Sequence, residues 1–365
     1  MLQVDAVGNL RALYPAGQPA ALRLLIGSHL DTVPNAGAFD GILGVVLAIA
    51  VLKGLNGRRL PYAIEIAGFS DEEGVRFATP FLGSRALVGR LDDNLMDRQD
   101  SQGISVRKAI QDFGSNPERI REAVLGDDVC AYLEFHIEQG PVLESLALPL
   151  GVVDAVAGQS RLEFIFKGRA NHAGTTPMNM RFDALSGAAE WIAAVERAAR
   201  SRPGLVATVG VVQARPGVVN VIAGEARLSL DVRHSSDDIR TRAVEDLIGD
   251  AQAIAHGRGL SVSWKEHINQ RAVQMDPDLI AQIEEAIRKS GCKPHRMASG
   301  AGHDAMILAE KVPSGIVFLR TPGGISHDPA ESVLVDDVAM AIECGFHLLD
   351  QLAVSSASQK RTRRA

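Results

Sequence analysis

Residues 22–74 read LRLLIGSHLDTVPNAGAFDGILGVVLAIAVLKGLNGRRLPYAIEIAGFSDEEG, and the order of segments within this stretch decides the fold. Leu22–Ile26 is a short β-type run followed by Gly27-Ser28-His29, and Tyr62–Phe69 is a second such run ending at Ser70-Asp71-Glu72-Glu73. Between them, Gly41–Leu55 has the length and small-residue content of a tightly packed helix. Strand, helix, strand in this order predicts a crossover unit of an α/β sheet. Reactive groups in such sheets collect at the carboxyl ends of the strands. His29, Asp31 and the acids at 71–73 all follow a predicted strand end.

Further along, the rhythm changes at about Gly158. Arg161–Lys167 alternates like an edge strand, Asp183–Arg200 reads as an Ala-rich helix and Leu205–Gln213 as a strand. Ala226–Arg233 alternates again, Asp237–His256 is helical, and Leu260–His267 is a last strand. This βαββαβ order predicts a ferredoxin-like sandwich over residues 158–270, inserted into a main domain made of residues 1–157 and 271–365. In the resumed main domain, Asp278–Ser290 reads as a helix, Gly315–Leu319 as a strand and Val335–Leu352 as a closing amphipathic helix. Val354–Ala365, with Lys360, Arg361, Arg363 and Arg364, reads as a solvated, disordered end.

Composition narrows the function. The 365 residues exceed one ordinary domain, and 46% hydrophobic with 22% charged residues is a globular profile. Lys plus Arg number 38 against 44 Asp plus Glu, a net charge of −6 that argues against a nucleic-acid polyanion as main ligand. Eleven Phe, two Trp and three Tyr are too few for base- or sugar-stacking platforms to dominate. Cys130, Cys292 and Cys344 are widely spaced and odd in number, which gives neither a disulfide framework nor a metal knuckle and fits a reducing cytoplasm. Met1–Tyr14 lacks a basic segment before an apolar core, so no signal peptide is expected. The longest apolar run, Ile42–Leu52, is about half the roughly 20 residues that a membrane span needs.

Five segments place ligand-type side chains beside glycine or proline: Gly27–Asp31, Phe39–Gly41, Asp71–Gly74, Glu134–Gly140 and Ser326–Pro329. Imidazole and carboxylate together suit zinc, manganese, cobalt or nickel. His29 and Asp31 alternate across a strand end, so one can ligate while the other sets the imidazole tautomer. Asp40, in a glycine-flanked turn, is placed to bridge two ions. Adjacent Glu72 and Glu73 repel each other at the end of an apolar strand unless a cation is near. A metal resolves this when one carboxylate ligates and the other stays free to take protons.

Together, His29-Leu-Asp31-Thr, Asp40-Gly41, Asp71-Glu72-Glu73-Gly74-Val-Arg76-Phe77, Glu134-Phe-His136-Ile-Glu138-Gln139-Gly140 and Gly324-Ile-Ser-His327-Asp-Pro-Ala-Glu331 resemble the hydantoinase/carbamoylase group of the aminoacylase-like dinuclear metallohydrolases. The likeness runs in order from about Val4 to Leu352. It implies an aminopeptidase-like catalytic domain with a mixed central sheet, the inserted sandwich serving as lid and dimerisation domain of a cytoplasmic homodimer. It also implies two divalent ions per subunit, one held by His29, Asp40 and His136 and the other by Asp40, Glu73 and His327. Peptidase relatives place a carboxylate where this group has His136. Glu72 is then the general base and Asp31 the residue that orients His29, and the Asp40–Gly41 bond is expected cis.

From the inserted domain, the resemblance implies that His172, within Gly168–Pro177, supplies an oxyanion contact to the neighbouring subunit's site. Asn220 and Arg233 bind the substrate carboxylate, although an exposed salt bridge is the competing reading for Arg233. Gln139 contacts the ureido group, and Gly302, His303 and Asp304 line the pocket. His234, His256, His267, His295 and His347 match no role and read as surface or packing residues. The implied reaction is hydrolysis of a linear ureido or amide C–N bond in a small acid such as allantoate or an N-carbamoyl-L-amino acid. An aminoacylase or dipeptidase of the same superfamily and a non-catalytic metabolite-binding homologue are the alternatives. Relatives carry helices ahead of the Val4–Leu10 segment that this sequence lacks.

Overall fold

Strand β1, Arg23–His29, carries Leu24, Leu25 and Ile26 buried in succession, the near-continuous apolar run of a parallel strand covered on both faces. Helix α1, Ile42–Gly54, returns the chain to β2, Ala63–Phe69, which pairs with β1 in parallel, Arg23 opposite Ala63 and His29 opposite Phe69. The crossover expected from residues 22–74 is therefore present. The structure is a computed structural model that describes residues 2–19 and 21–362, with side chains up to residue 353.

By their contacts the residues form two compact units, 1–156 with 274–365, and 157–273. In the first, β3 (Val129–Ile137) lies parallel to β1, and β4 (Leu150–Val156) follows it in the chain. After helix α2, Pro277–Lys289, strand β5, Ser314–Leu319, inserts parallel to β3 and antiparallel to β4. On the other side Leu10–Tyr14 runs antiparallel to β2 and Leu2–Val4 antiparallel to it at the edge, so the central sheet is mixed, as expected. Helix α1 packs on β1 and β3 and against the closing helix α3, Val335–Thr362. That helix continues past its expected end at Leu352, because residues 353–362 contain no Gly or Pro to stop it. Residues 363–365 of the expected disordered tail lie outside the described residues.

One buried ionic cluster crosses the sheet. Glu65 of β2, 2% exposed, takes Arg11 Nε at 2.6 Å and an Arg23 guanidinium nitrogen at 2.9 Å. No helix among the described residues is long and apolar enough to cross a membrane.

The second unit has the chain order expected for its sandwich. Its sheet is antiparallel, ordered Val212–Arg215, Glu225–His234, Gly158–Lys167, Ser261–Gln270. Helices Ala184–Arg200 and Asp237–Gly257 cover it, with Phe164, Phe166, Trp191, Leu228, Leu230 and Leu247 in the core between. The strand expected over Leu205–Gln213 is broken into Val206–Thr208 and Val212–Arg215, both paired with Glu225–His234. At the break, the Ser229 hydroxyl accepts the Val211 N–H at 3.0 Å in place of a backbone partner, next to Gly210, a residue that weakens strands.

Candidate metal centre

Parallel alignment of β1, β2, β3 and β5 brings their carboxyl ends to one edge of the sheet, and the candidate ligands collect there. His29 is the last residue of β1, His136 the penultimate residue of β3, Glu72 and Glu73 follow β2, and His327 follows β5. Asp40 arrives from the loop that leads into α1. Its Oδ1 lies 3.2 Å from His136 Nε2 and 3.6 Å from His29 Nε2, and the two imidazole nitrogens are 3.3 Å apart. Its Oδ2 lies 3.1 Å from His327 Nε2, which is 3.5 Å from Glu73 Oε1. Two triads therefore share Asp40: His29, Asp40 and His136, all buried, and Asp40, Glu73 and His327, with His327 half-exposed. Within each triad the ligand-type atoms lie within 4.8 Å of one another.

Local backbone geometry aims these groups. His29 Nδ1 faces the Asp31 carbonyl and His136 Nδ1 the Ile137 carbonyl, each at 2.8 Å, which turns both Nε2 atoms toward Asp40. The route from Asp31 differs from expectation. Its carbonyl, not its carboxylate, orients His29, while the carboxylate accepts the N–H groups of Glu72 at 3.0 Å and Glu73 at 3.1 Å. The cause is Asp71, whose φ of 53° turns the chain so that the next two amides point at Asp31. Gln139 and His327 are also left-handed, at φ 57° and 58°, and strained residues of this kind gather at functional sites. Gly41 takes φ 70° and the Asp40–Gly41 bond, expected cis, is trans; the cis bond among the described residues is Arg215–Pro216.

Electrostatics separates the groups. Burial works against a charge on His136, but the Asp40 carboxylate 3.2 Å away and Glu134 hold its pKa up at about 9. Burial would also raise Asp40, yet His136, His29 and His327 hold it well below the usual carboxylate range. Burial, then Asp304, Glu73 and Glu134, push Glu72 well above that range. Behind Glu72, the fully buried Glu134 accepts from Ser28 Oγ at 3.2 Å, Tyr132 Oη at 3.1 Å and the Ala305 N–H at 2.9 Å. Sequence reasoning gave Glu134 no role and set Asp304 beside Gly302 and His303 in the pocket lining, whereas it is fully buried here. A signal existed for the first: Tyr132, Glu134 and His136 alternate along β3 and so share one face.

The other predicted residues take varied positions. Gln139 Nε2 donates to Asp40 Oδ2 at 2.9 Å and to Ser326 Oγ at 3.1 Å, at the second triad. His303 is 1% exposed, its Nε2 bonded to Ser299 Oγ at 2.8 Å and its ring edge-on to His136 at 4.5 Å. It therefore packs behind a candidate ligand, next to the exposed Gly302. In the second unit, His172 Nδ1 accepts the N–H groups of Gly174 and Thr175, and the Asn220 carbonyl accepts the Ala173 N–H at 2.9 Å. His172 and Asn220 thus lie together at one small two-stranded antiparallel sheet, Asn171–His172 with Val221–Ile222. Arg233 is half-buried and salt-bridged to Asp231, at 2.9 Å through Nε.

These residues fit a pair of divalent cations. Asp40 Oδ1 and Glu73 Oε1 are buried and receive no hydrogen bond of good geometry, an expensive condition that a cation relieves. Three imidazoles and two carboxylates, one of them the shared Asp40, are also the donor types that zinc, manganese, cobalt and nickel accept. Donors of these types at the carboxyl edge of a mixed α/β sheet suit a metal-dependent hydrolase. Residues 25–351 match Peptidase family M20/M25/M40, and the chain belongs to that family.

Its relatives include the N-carbamoyl-L-amino acid amidohydrolase of Geobacillus stearothermophilus, 37% identical over 96% of this chain and 86% of the relative. The allantoate deiminase of Arabidopsis thaliana is 39% identical over 93% of this chain and 71% of its own length. Among solved structures, a hydantoinase/carbamoylase family amidase from Burkholderia ambifaria matches with a TM-score of 0.90 at 35% identity, over 96% of this chain and 85% of that one. The resemblance drawn from the sequence is borne out.

Proposed function

We propose that this chain hydrolyses a linear ureido or amide C–N bond in a small carboxylic acid, allantoate or an N-carbamoyl-L-amino acid, using two divalent ions per subunit. The observation that carries the reading is the single carboxylate, Asp40, shared between two ligand triads. His29, Asp40 and His136 would hold one ion, and Asp40, Glu73 and His327 the other. When bound, such a pair polarises a carbonyl and lowers the pKa of a water it holds from 15.7 toward about 7.

The remaining steps belong to the protein. Glu72, buried and raised in basicity by its acidic neighbours, takes a proton from the attacking water and passes it to the departing nitrogen. Asp31 holds the Glu72–Glu73 turn in place through two amides. His172 donates to the developing oxyanion, and in a homodimer built through the inserted unit it does so in the neighbouring subunit. Arg233, steadied by Asp231, and Asn220 bind the substrate carboxylate, which selects an acid beside the scissile bond. Gln139 meets the ureido end, Gly302 lines the pocket, and His303 backs His136. Cys130, Cys292 and Cys344 are unpaired, which supports a cytoplasmic location.

The test is ammonia release by purified, manganese-loaded protein from a panel of allantoate, N-carbamoyl-L-amino acids and N-acetyl amino acids. Turnover of at least one ureido acid is expected, and Glu72→Gln should cut it by about 10²–10⁴-fold with metal content unchanged. No release from any ureido acid by folded protein refutes the reading. Preference for N-acetyl substrates favours an aminoacylase, and tight binding without turnover favours a binding protein.

A further inference from the structure

Glu331 has no part in the chemistry proposed above, yet it is 5% exposed and lies against the centre. Its Oε1 accepts the backbone N–H groups of Phe39 at 2.9 Å and Asp40 at 3.0 Å, and its Oε2 accepts the Ser326 hydroxyl at 3.0 Å. A Cβ at Gly37 would fall 2.6 Å from Oε1, so the 37–40 loop closes directly onto this carboxylate. On the other side, Ser326 immediately precedes His327. The Ser326 oxygen also accepts from Gln139 Nε2, the amide that donates to Asp40 Oδ2. One carboxylate therefore ties the loop that carries Asp40 to the loop that carries His327.

Two successive amides converging on one oxygen hold the backbone of the loop at both Phe39 and Asp40. Fixing the Asp40 backbone fixes the side chain that both triads share. Fixing Ser326 fixes the approach of His327, the most exposed member of the cluster. We infer that Glu331 is a positioning residue of the two-ion centre: it sets Asp40 and His327 at the separation that lets both ions bind. This rests on the two-ion reading above.

The test titrates Zn²⁺ into chelator-stripped wild-type, Glu331→Gln, Glu331→Ala, Ser326→Ala and Asp40→Ala proteins by calorimetry, with circular dichroism of each. Glutamine keeps an acceptor oxygen for the two amides and should stay within about tenfold of wild-type affinity. Alanine removes both arms and should weaken both ions by about 10–100-fold, the usual effect of losing an outer partner of a metal ligand, with the far-ultraviolet spectrum unchanged. Ser326→Ala cuts the His327 arm, and the Gln139 contact with it, while leaving the Phe39 and Asp40 amides on Glu331, and should weaken at least one ion; it carries the test if Glu331→Ala does not fold. Wild-type affinity for both ions in Glu331→Ala, or in Ser326→Ala where the former is unfolded, overturns the assignment and leaves the two-ion reading standing. Equal losses in Glu331→Gln and Glu331→Ala mark an effect of charge alone and also overturn it. A wild-type protein that takes up no zinc, or an Asp40→Ala protein that still takes up two ions, overturns the two-ion reading itself.

Discussion

Replacing Gly41 with alanine probes the centre without touching a candidate ligand. A Cβ at this position would sit 2.5 Å from His29 Cγ and closer still to Nδ1 and Cε1, against one whole side of the imidazole. Carbon contacts are comfortable at about 3.5–4.0 Å, so the ring must retreat by about 1 Å or more. It has little room to do so, being 2% exposed and bonded through Nδ1 to the Asp31 carbonyl. Metal–ligand distances tolerate about 0.2 Å, so His29 ceases to be a ligand. Losing an outer partner alone costs about 10–100-fold in metal affinity, and displacing the ligand itself should cost at least about 100-fold, or about 2.7 kcal/mol.

The backbone adds a separate penalty. Gly41 has φ 70°, and an L-residue there costs about 1–2 kcal/mol. For a unit of this size each kcal/mol lowers Tm by about 2–4 °C, which gives a fall of about 2–8 °C. The assay is zinc calorimetry on chelator-stripped protein with metal content and thermal melts alongside. Loss of affinity for one ion in a folded protein is the expected result. A Gly41→Ala protein that holds two ions with wild-type affinity refutes the assignment of His29.

Three further outcomes follow from the packing. Glu65→Ala leaves Arg11, 6% exposed, with its charge buried and uncompensated, and should cost about 3–5 kcal/mol in urea unfolding; a change below about 1 kcal/mol contradicts the buried pair. Trp191 is fully buried, 4.2 Å from the Phe164 ring, and donates to the Leu247 carbonyl at 2.8 Å. Trp191→Ala should therefore destabilise the second unit by about 3–5 kcal/mol by hydrogen exchange, and near-native protection of residues 157–273 would refute that core. Burial pushes the Cys344 thiol up to about 12, so at pH 8 only about one molecule in 10⁴ is thiolate, against about a quarter for an ordinary thiol. Iodoacetamide should label Cys344 more than about 10³-fold more slowly than free cysteine, and comparable rates by mass spectrometry would show that helix α3 is not packed as described.

The sequence by itself determined the crossover unit of residues 22–74 and the change of rhythm near Gly158, which were legible because hydrophobic period and chain direction are local. The cluster of His29, Asp40, Glu72, Glu73, His136 and His327 was legible through motifs that resemble a known family, since period and order alone mark ligand-type segments but not which of them meet. The break at Gly210 was less legible, since a side-chain hydroxyl two strands of sequence away completes that ladder. Only the tertiary structure decided which atom of Asp31 meets His29, that Glu134 and Asp304 crowd Glu72 from behind, that His303 is buried against His136, and that Glu331 grips the Asp40 loop. Periodicity along a chain says which face a side chain occupies. It carries no information on what stands opposite, and hydrogen bonds and pKa values are set by that opposite partner, here 291 residues away in the case of Glu331 and Asp40.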